Sequence, residues 1–264
     1  MSTLAHTIGD SATMLRRNLK HAVRYPSLTV VVIALPVIFL LLFVYVFGGT
    51  LGNGLGDVAG GRSAYADYVT PGILLLAMAG AAQGTAIAVA MDMAEGIVAR
   101  FRTMSIARAA VLTGHVVGAV TQTLLGMAVV VGVALLVGFR PDASPAQWIA
   151  AVGLLTLTAF AITWLSVALG MVSKSVESAS NLPMPLLLLP FLGSGFVPTG
   201  SMPGWLGWFA EHQPFTPIME TLRGLLLAGP VDGGDALVAV AWCAGISLLG
   251  YLWARRLYDR DPSR

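Results

Sequence analysis

Residues 29–47 read TVVVIALPVIFLLLFVYVF, without a single Asp, Glu, Lys or Arg. A helix rises about 1.5 Å per residue, so a stretch of this length matches the roughly 30 Å hydrocarbon core of a bilayer. Five further runs of the same kind follow, at 68–91, 109–139, 143–173, 178–210 and 236–254. One such run could be the core helix of a soluble domain. Six of them, separated by short charged segments, read as membrane crossings. The composition agrees, with 56% hydrophobic and only 11% charged residues where a soluble domain carries about 25% charged. A soluble fold this apolar would expose large aggregating patches.

The basic residues set the expected orientation. With the N-terminus inside, the inner segments hold 12 of the 15 Lys and Arg residues and the outer segments only Arg62, Arg140 and Arg223. Lys and Arg are retained on the cytoplasmic side during insertion, so both termini are expected there. Only Lys20 and Lys174 are lysines among these bases, and the chain is rich in Ala, Gly and Val, a composition that suggests a GC-rich bacterial genome and hence a bacterial plasma membrane. The first run is longer than a signal peptide's apolar core and lacks a clear cleavage site, so it reads as a retained crossing, kinked at Pro36. The single cysteine, Cys243, excludes an internal disulfide.

Before the first crossing, residues 1–25 pattern as an amphipathic helix on the membrane surface. Leu4, Ile8, Leu15 and Leu19 recur at helical spacing, and Arg16, Arg17, Lys20 and Arg24 crowd its second half. The inner segment 93–108 places acids before bases, which suits a helix macrodipole, and Ile97, Phe101 and Met104 form an apolar stripe. It reads either as a connector on the headgroups or as a docking helix for a cytoplasmic protein. Close helix packing is suggested by the GxxxG spacing of Gly80 to Gly84.

The fifth run is unlike the others. Pro183, Pro185, Pro190 and Pro198 punctuate it, and Gly193-Ser194-Gly195 lies within it. Broken helix is tolerated at membrane depth only where it is buried in protein or lines a cavity. Pro183, Pro185, Leu187, Phe191, Gly193 and Gly195 are therefore candidate pathway or subunit-interface residues. The outer segment 199–235 brings Trp205 and Trp208 to the membrane–water boundary. It then forms a short apolar helix from Pro217 to Leu227, ended near Gly229 and too short to span, on whose face Glu220 and Arg223 can pair.

Several chemistries have no sequence support. There is no GxxxxGK[ST] phosphate loop, no HExxH or GxSxG motif and no His/Cys cluster at metal spacing. The crossings carry no ionisable residue at mid-membrane beyond the lone His115, which disfavours an ion-coupled carrier. A purely structural membrane protein would leave the broken fifth run without a reason.

A resemblance adds to this reading. NLPMP at 181–185, FLGSGFVP at 191–198, MPGWL at 202–206, QPFTP at 213–217 and ETLRG at 220–224 resemble the permease subunits of ABC type 2 exporters, especially the daunorubicin-resistance-like group. EGIVARFRTMSI at 95–106 is similar to that family's coupling segment. The resemblance implies an all-α membrane fold of six crossings, with an N-terminal interface helix and re-entrant helices between crossings five and six. It implies a homodimer of permeases above two separate ATPase subunits, which bind ATP and Mg while this chain binds no cofactor. Docking would fall to residues 1–25 and to Glu95, Arg100, Phe101, Arg102 and Ser105. Trp205, Trp208, Glu220 and Arg223 would gate the exit. The expected cargo is a hydrophobic small molecule, such as a drug or antibiotic, or a lipid, with a polysaccharide or lipid-linked glycan as the alternative.

Overall fold

The structure is a computed structural model and describes residues 26–51, 61–95 and 108–259. Among these residues every regular element is helical. α1 (Pro26–Leu42) runs into a π-helical turn (Phe43–Phe47) and a last turn, α2 (Gly48–Leu51). Then come α3 (Gly61–Ala94), α4 (Arg108–Val137), α5 (Pro145–Val172), α6 (Val176–Asn181) and α7 (Met184–Leu188). A 3-10 turn (Thr199–Ser201) leads to α8 (Gly204–His212), α9 (Phe215–Leu226) and α10 (Gly233–Asp259).

Among the described residues, five stretches are long and apolar enough to cross a membrane: Ile33–Thr50, Gly61–Ala94, Val116–Val137, Pro145–Val172 and Gly233–Tyr258. The fifth apolar run, 178–210, forms no long helix. It is divided among α6, α7, a series of turns, the 3-10 turn and the start of α8. The helix continues through Pro36, and the irregularity in the first crossing is the π-helical turn that begins at Phe43.

α3 has 34 residues, which makes it about 51 Å long at 1.5 Å per residue. It outreaches the hydrocarbon core at both ends, which is why it includes Arg62, Asp67 and Asp92 beyond the uncharged run. α3 and α5 each bury 61% of their apolar stretch inside the chain, whereas α10 buries 17%. The first two are thus the centre of the bundle, and α10 is a flank whose apolar surface faces outward. α5 starts at a capping box: Gln147 N–H donates to Ser144 Oγ, Ser144 N–H donates to Gln147 Oε1, and Pro145 occupies the first helical position.

Contacts between helices fix their directions. Ser63 Oγ donates to the Gly138 carbonyl at 3.1 Å and Arg140 N–H donates to Asp67 Oδ1 at 2.8 Å, so the start of α3 meets the end of α4 and the two are antiparallel. Gly170, late in α5, lies on Ala86 and Val89, late in α3. Thr158 Oγ1 is 3.4 Å from Cys243 Sγ, and Trp164 packs edge-on to Tyr251 at 5.0 Å. α3, α5 and α10 are therefore parallel to one another. Two parallel helices can follow one another in a chain only if the segment between them travels back along the bundle. Residues 173–232 make that return.

Backbone proximity holds the central helices together. A Cβ on Gly170 would sit 2.6 Å from the Ala86 carbonyl oxygen, and one on Gly250 would sit 2.8 Å from Leu165 N and Trp164 C. A Cβ on Gly80 or Gly84 would meet nothing within 4 Å, so this chain's own packing does not use the GxxxG spacing in α3. Gly170→Ala and Gly250→Ala are expected to destabilise the protein by about 1–3 kcal/mol each, because main chain cannot move aside as a side-chain tip can. Gly80→Ala and Gly84→Ala are expected to be neutral or to stabilise by up to about 1 kcal/mol through helix propensity. Thermal melting of the four variants in one detergent distinguishes the two classes.

Candidate functional site

The return path runs along α3. Gln83 Nε2 donates to the Ser180 carbonyl at 2.7 Å, and Tyr65 Oη donates to the Phe196 carbonyl at 3.3 Å. Between these points Gly72 and Gly195 touch through their main chains. As the chain advances from Ser180 to Phe196 it descends α3 from Gln83 to Tyr65. That distance along α3 is about 27 Å at 1.5 Å per residue, close to the thickness of a bilayer core.

The break has a covalent cause. Pro183, Pro185 and Pro190 have no N–H to give, so carbonyls one turn earlier lose their helical partners. Lipid supplies no replacement donors. Protein side chains pair other main-chain groups of the segment, at Ser180, Leu189, Ser194 and Phe196. In addition to Gln83 and Tyr65, Gln213 Nε2 donates to the Leu189 carbonyl at 3.2 Å. Arg223 Nη2 donates to the Ser194 carbonyl at 2.8 Å, and Ser194 N–H donates to Thr216 Oγ1 at 3.4 Å. Five side chains from two regions, α3 and the α8–α9 corner, thus satisfy one broken element.

Arg223 is the centre of the cluster. Its Nη1 pairs with Glu220 Oε2 at 2.7 Å, and its Nη2 also donates to the Tyr68 carbonyl at 3.2 Å. The guanidinium carbon lies 3.9 Å from the centroid of the Tyr68 ring, a cation–π contact. Glu220 and Arg223 do pair as their spacing suggested. The arginine, however, turns into the protein with 14% of its side chain exposed, whereas Glu220 keeps 38%. A planar fork of five donors suits this position because it can reach an acid and two carbonyls together. Arg223 Nε and Ser194 Oγ are buried there without hydrogen-bond partners.

Small residues allow the segments to close. A Cβ on Gly72 would lie 2.7 Å from the Gly195 carbonyl oxygen, and one on Gly195 would lie 2.8 Å from both Met219 Sδ and the Pro190 carbonyl oxygen. A Cβ on Gly193 would run into Gln213 Nε2 and Thr216 Oγ1.

Of the pathway candidates, Pro183, Gly193 and Gly195 are buried within the chain, Leu187 and Phe191 are half-buried, and Pro185 is exposed. Trp205 and Trp208 are exposed on α8. Trp208 stacks on His212 at 4.6 Å. Glu95 is exposed just after α3, while Arg100, Phe101, Arg102, Ser105 and residues 1–25 lie outside the described residues. Sequence reasoning did not single out Gln83, Gln213, Thr216 or Ser194 as members of this cluster. Their signal was their chemistry: amides and hydroxyls set into apolar stretches need partners.

Removal of the guanidinium takes the side-chain donor from the Ser194 carbonyl and the partner from Glu220. Arg223→Ala is expected to cost about 1.5–3 kcal/mol, the range for hydrogen bonds to charged groups. Arg223→Lys should fall between the variant and the parent because one ammonium cannot reproduce the fork. Glu220→Gln should cost under about 1 kcal/mol, since that carboxylate is partly solvated. Thermal melting in detergent ranks the three.

Comparison with known proteins matches the model of the "ABC-2 type transporter" family to residues 11–227, a span that includes the broken run, α8 and α9. The daunorubicin resistance ABC transporter permease protein DrrB1 of Streptomyces coeruleorubidus is 28% identical over 255 residues, covering 96% of this chain and 87% of the relative. The probable doxorubicin resistance ABC transporter permease protein DrrC of Mycobacterium tuberculosis is 24% identical over 209 residues, 79% of this chain and 75% of the relative. With that family model matched across residues 11–227, this chain of apolar helices belongs to the ABC-2 type transporter family.

Proposed function

We propose that this chain is the membrane-spanning permease subunit of an ATP-driven exporter that moves a hydrophobic small molecule or a lipid out of the cell. The observation that carries the reading is the family match across residues 11–227. The names of the drug-resistance relatives favour a drug-like cargo. The chain crosses the membrane six times, with the broken run as the fifth crossing and both termini in the cytoplasm. The path of Ser180 to Phe196 along α3 supports that count, and the distribution of basic residues supports the orientation.

In this reading two copies pair, and two ATPase subunits dock beneath them on residues 1–25 and 93–108. ATP and Mg are held by the partner. Glu95, Arg100, Phe101, Arg102 and Ser105 form the coupling contact. The cargo passes along the two-fold interface beside Pro183, Pro185, Leu187, Phe191, Gly193 and Gly195. It leaves past Trp205 and Trp208, with Glu220 and Arg223 steadying the helices at the exit. An apolar cargo suits a route that offers no charged group at mid-membrane.

Two experiments test this. Single cysteines in a Cys243→Ser background are expected to label from outside at Asn53 and Ala228 and from inside at Ser105 and Asp261; outside labelling at Asp261 refutes the orientation. Co-expressed with its ATPase, the chain is expected to purify as a two-plus-two complex whose ATP turnover resides in the partner. Phe101→Ala is expected to weaken that complex by about 2 kcal/mol or more, as a buried anchor does. Unchanged co-purification of the Phe101→Ala, Glu95→Ala double variant refutes the docking site.

A further inference from the structure

Two groups of bases stand at opposite ends of the bundle, and the chain treats them differently. At the end where α3 begins, each is engaged by the chain itself. The Arg62 guanidinium carbon lies 5.1 Å from the centroid of the Tyr45 ring, Arg140 Nη1 donates to the Phe139 carbonyl at 2.9 Å, and Arg223 is held by Glu220. Lys174 follows the end of α5, and Arg255 and Arg256 lie near the end of α10, which runs parallel to α3 and α5. These three are exposed, and none has a hydrogen bond, ion pair or ring contact among the described residues.

α10 sets its two arginines where its apolar surface stops. The uncharged run 236–254 is about 28 Å long at 1.5 Å per residue, the thickness of a bilayer core. Arg255 and Arg256 come directly after it. The buried face of the helix is formed by Ala239, Cys243, Gly250 and Ala254. On the outward face Leu248, Leu252 and Arg255 follow one another at four and three residues, and so do Leu249, Trp253 and Arg256, so each arginine ends an apolar stripe. Leu248 is 58% and Leu249 68% exposed, and Trp253 39%. An outward apolar stripe on a crossing meets acyl chains, and a tryptophan at its end sits at headgroup level. Residues 255–264 hold four Arg and two Asp, so the sequence beyond the stripes stays net positive.

We propose that the end of α10 is a binding site for anionic phospholipid. Headgroup phosphates accept from Arg255 and Arg256, and the acyl chains lie along Leu248, Leu249, Leu252 and Trp253. A guanidinium fork matches the oxygens of a phosphate, and each base near an anionic leaflet adds to the attraction. Consecutive helical residues point about 100° apart, so each guanidinium serves the stripe that it ends. A zwitterionic headgroup carries its own amine beside the phosphate and gains less from the two charges. An ATPase could also meet a basic surface at this end. The two stripes favour lipid, because they run from the arginines straight into the outward surface of a helix that buries only 17% of its apolar stretch in the chain. The inference goes beyond the exporter reading and requires only that α10 crosses a bilayer.

Trp253 is the reporter. The purified chain is placed in phosphatidylcholine nanodiscs carrying the same small share of either tail-brominated phosphatidylglycerol or tail-brominated phosphatidylcholine, and tryptophan fluorescence is read. The anionic lipid is expected to quench more strongly, and Trp253→Phe to remove that excess. Arg255→Gln with Arg256→Gln is expected to lower the preference for the anionic lipid about fivefold or more. Arg255→Lys with Arg256→Lys, which keeps both charges, is expected to retain most of it. If the Arg255→Gln, Arg256→Gln pair does not fold, each single variant is expected to lose part of the preference. Equal quenching by the two lipids in wild type overturns the site, as does an excess that survives Trp253→Phe or the Arg→Gln variants. Loss of ATPase co-purification in the Arg→Gln variants, with lipid preference unchanged, makes the patch a protein contact and also overturns it. No transport enters these readings, so failure of the exporter reading is seen separately, as failure of the wild-type chain to form the ATPase complex.

Discussion

A polypeptide in lipid has no water to pair with its backbone, and each unpaired amide or carbonyl costs several kcal/mol. The organisation around residues 180–196 answers that constraint. Three prolines remove donors from the returning segment, and glycines let its main chain lie directly on α3. Gln83 and Tyr65 on α3, and Gln213, Thr216 and Arg223 from the α8–α9 corner, pair main-chain groups of the irregular segment. The short helices after the break are thus more than a cap on the bundle. α9 buries Ile218, Met219, Leu222 and Leu226 in the core while its polar residues hold the break.

This arrangement couples elements distant in sequence. Tyr65 and Phe196 are 131 residues apart, and Arg223 and the Tyr68 carbonyl 155. The first half of α3, the segment from Leu189 to Phe196 and α9 share main-chain contacts and hydrogen bonds, so displacement of one strains the others. α7 is different. Its five residues lie between Pro183 and Leu189, none of them is buried, and Met184 and Leu188 are more than half exposed. Density of buried contacts sets local resistance to opening, so the first part of the broken segment is the softer part.

The helical class is legible in the sequence because an uncharged apolar run of about 20 residues suits a helix in lipid and little else. The break is legible too, because proline's effect is local. Helix ends were less legible. α3 carries Arg62, Asp67 and Asp92 inside its helix, since a helix may extend into the headgroups where charge is solvated. α9 ends in a left-handed residue at Ala228, one position before the glycine expected to end it. The polar cluster could not be read at all, because it depends on which side chains meet across a fold. Gln213 and Thr216 are ordinary residues in a loop and a short helix until Leu189 and Ser194 are placed beside them. Gly80 and Gly84 show the converse: the motif is plain in the sequence, and the chain's own packing leaves the space above both glycines empty.

Arg223 shows why break and cluster must be considered together. A buried ion pair is often no more stabilising than apolar residues of the same volume, because desolvation offsets its attraction. In a regular crossing, leucine at position 223 would therefore serve as well. Here the guanidinium does what leucine cannot, since the Ser194 and Tyr68 carbonyls accept from it. The cost of burying the charge is set against the Ser194 carbonyl, which lies outside regular helix, and the 38% exposure of Glu220 reduces that cost by leaving the acid partly in water. The prolines and glycines of the fifth run and the donors of α9 are thus one unit, for the break without the donors would be unstable in lipid and the donors without the break would be buried polar groups with nothing to bind.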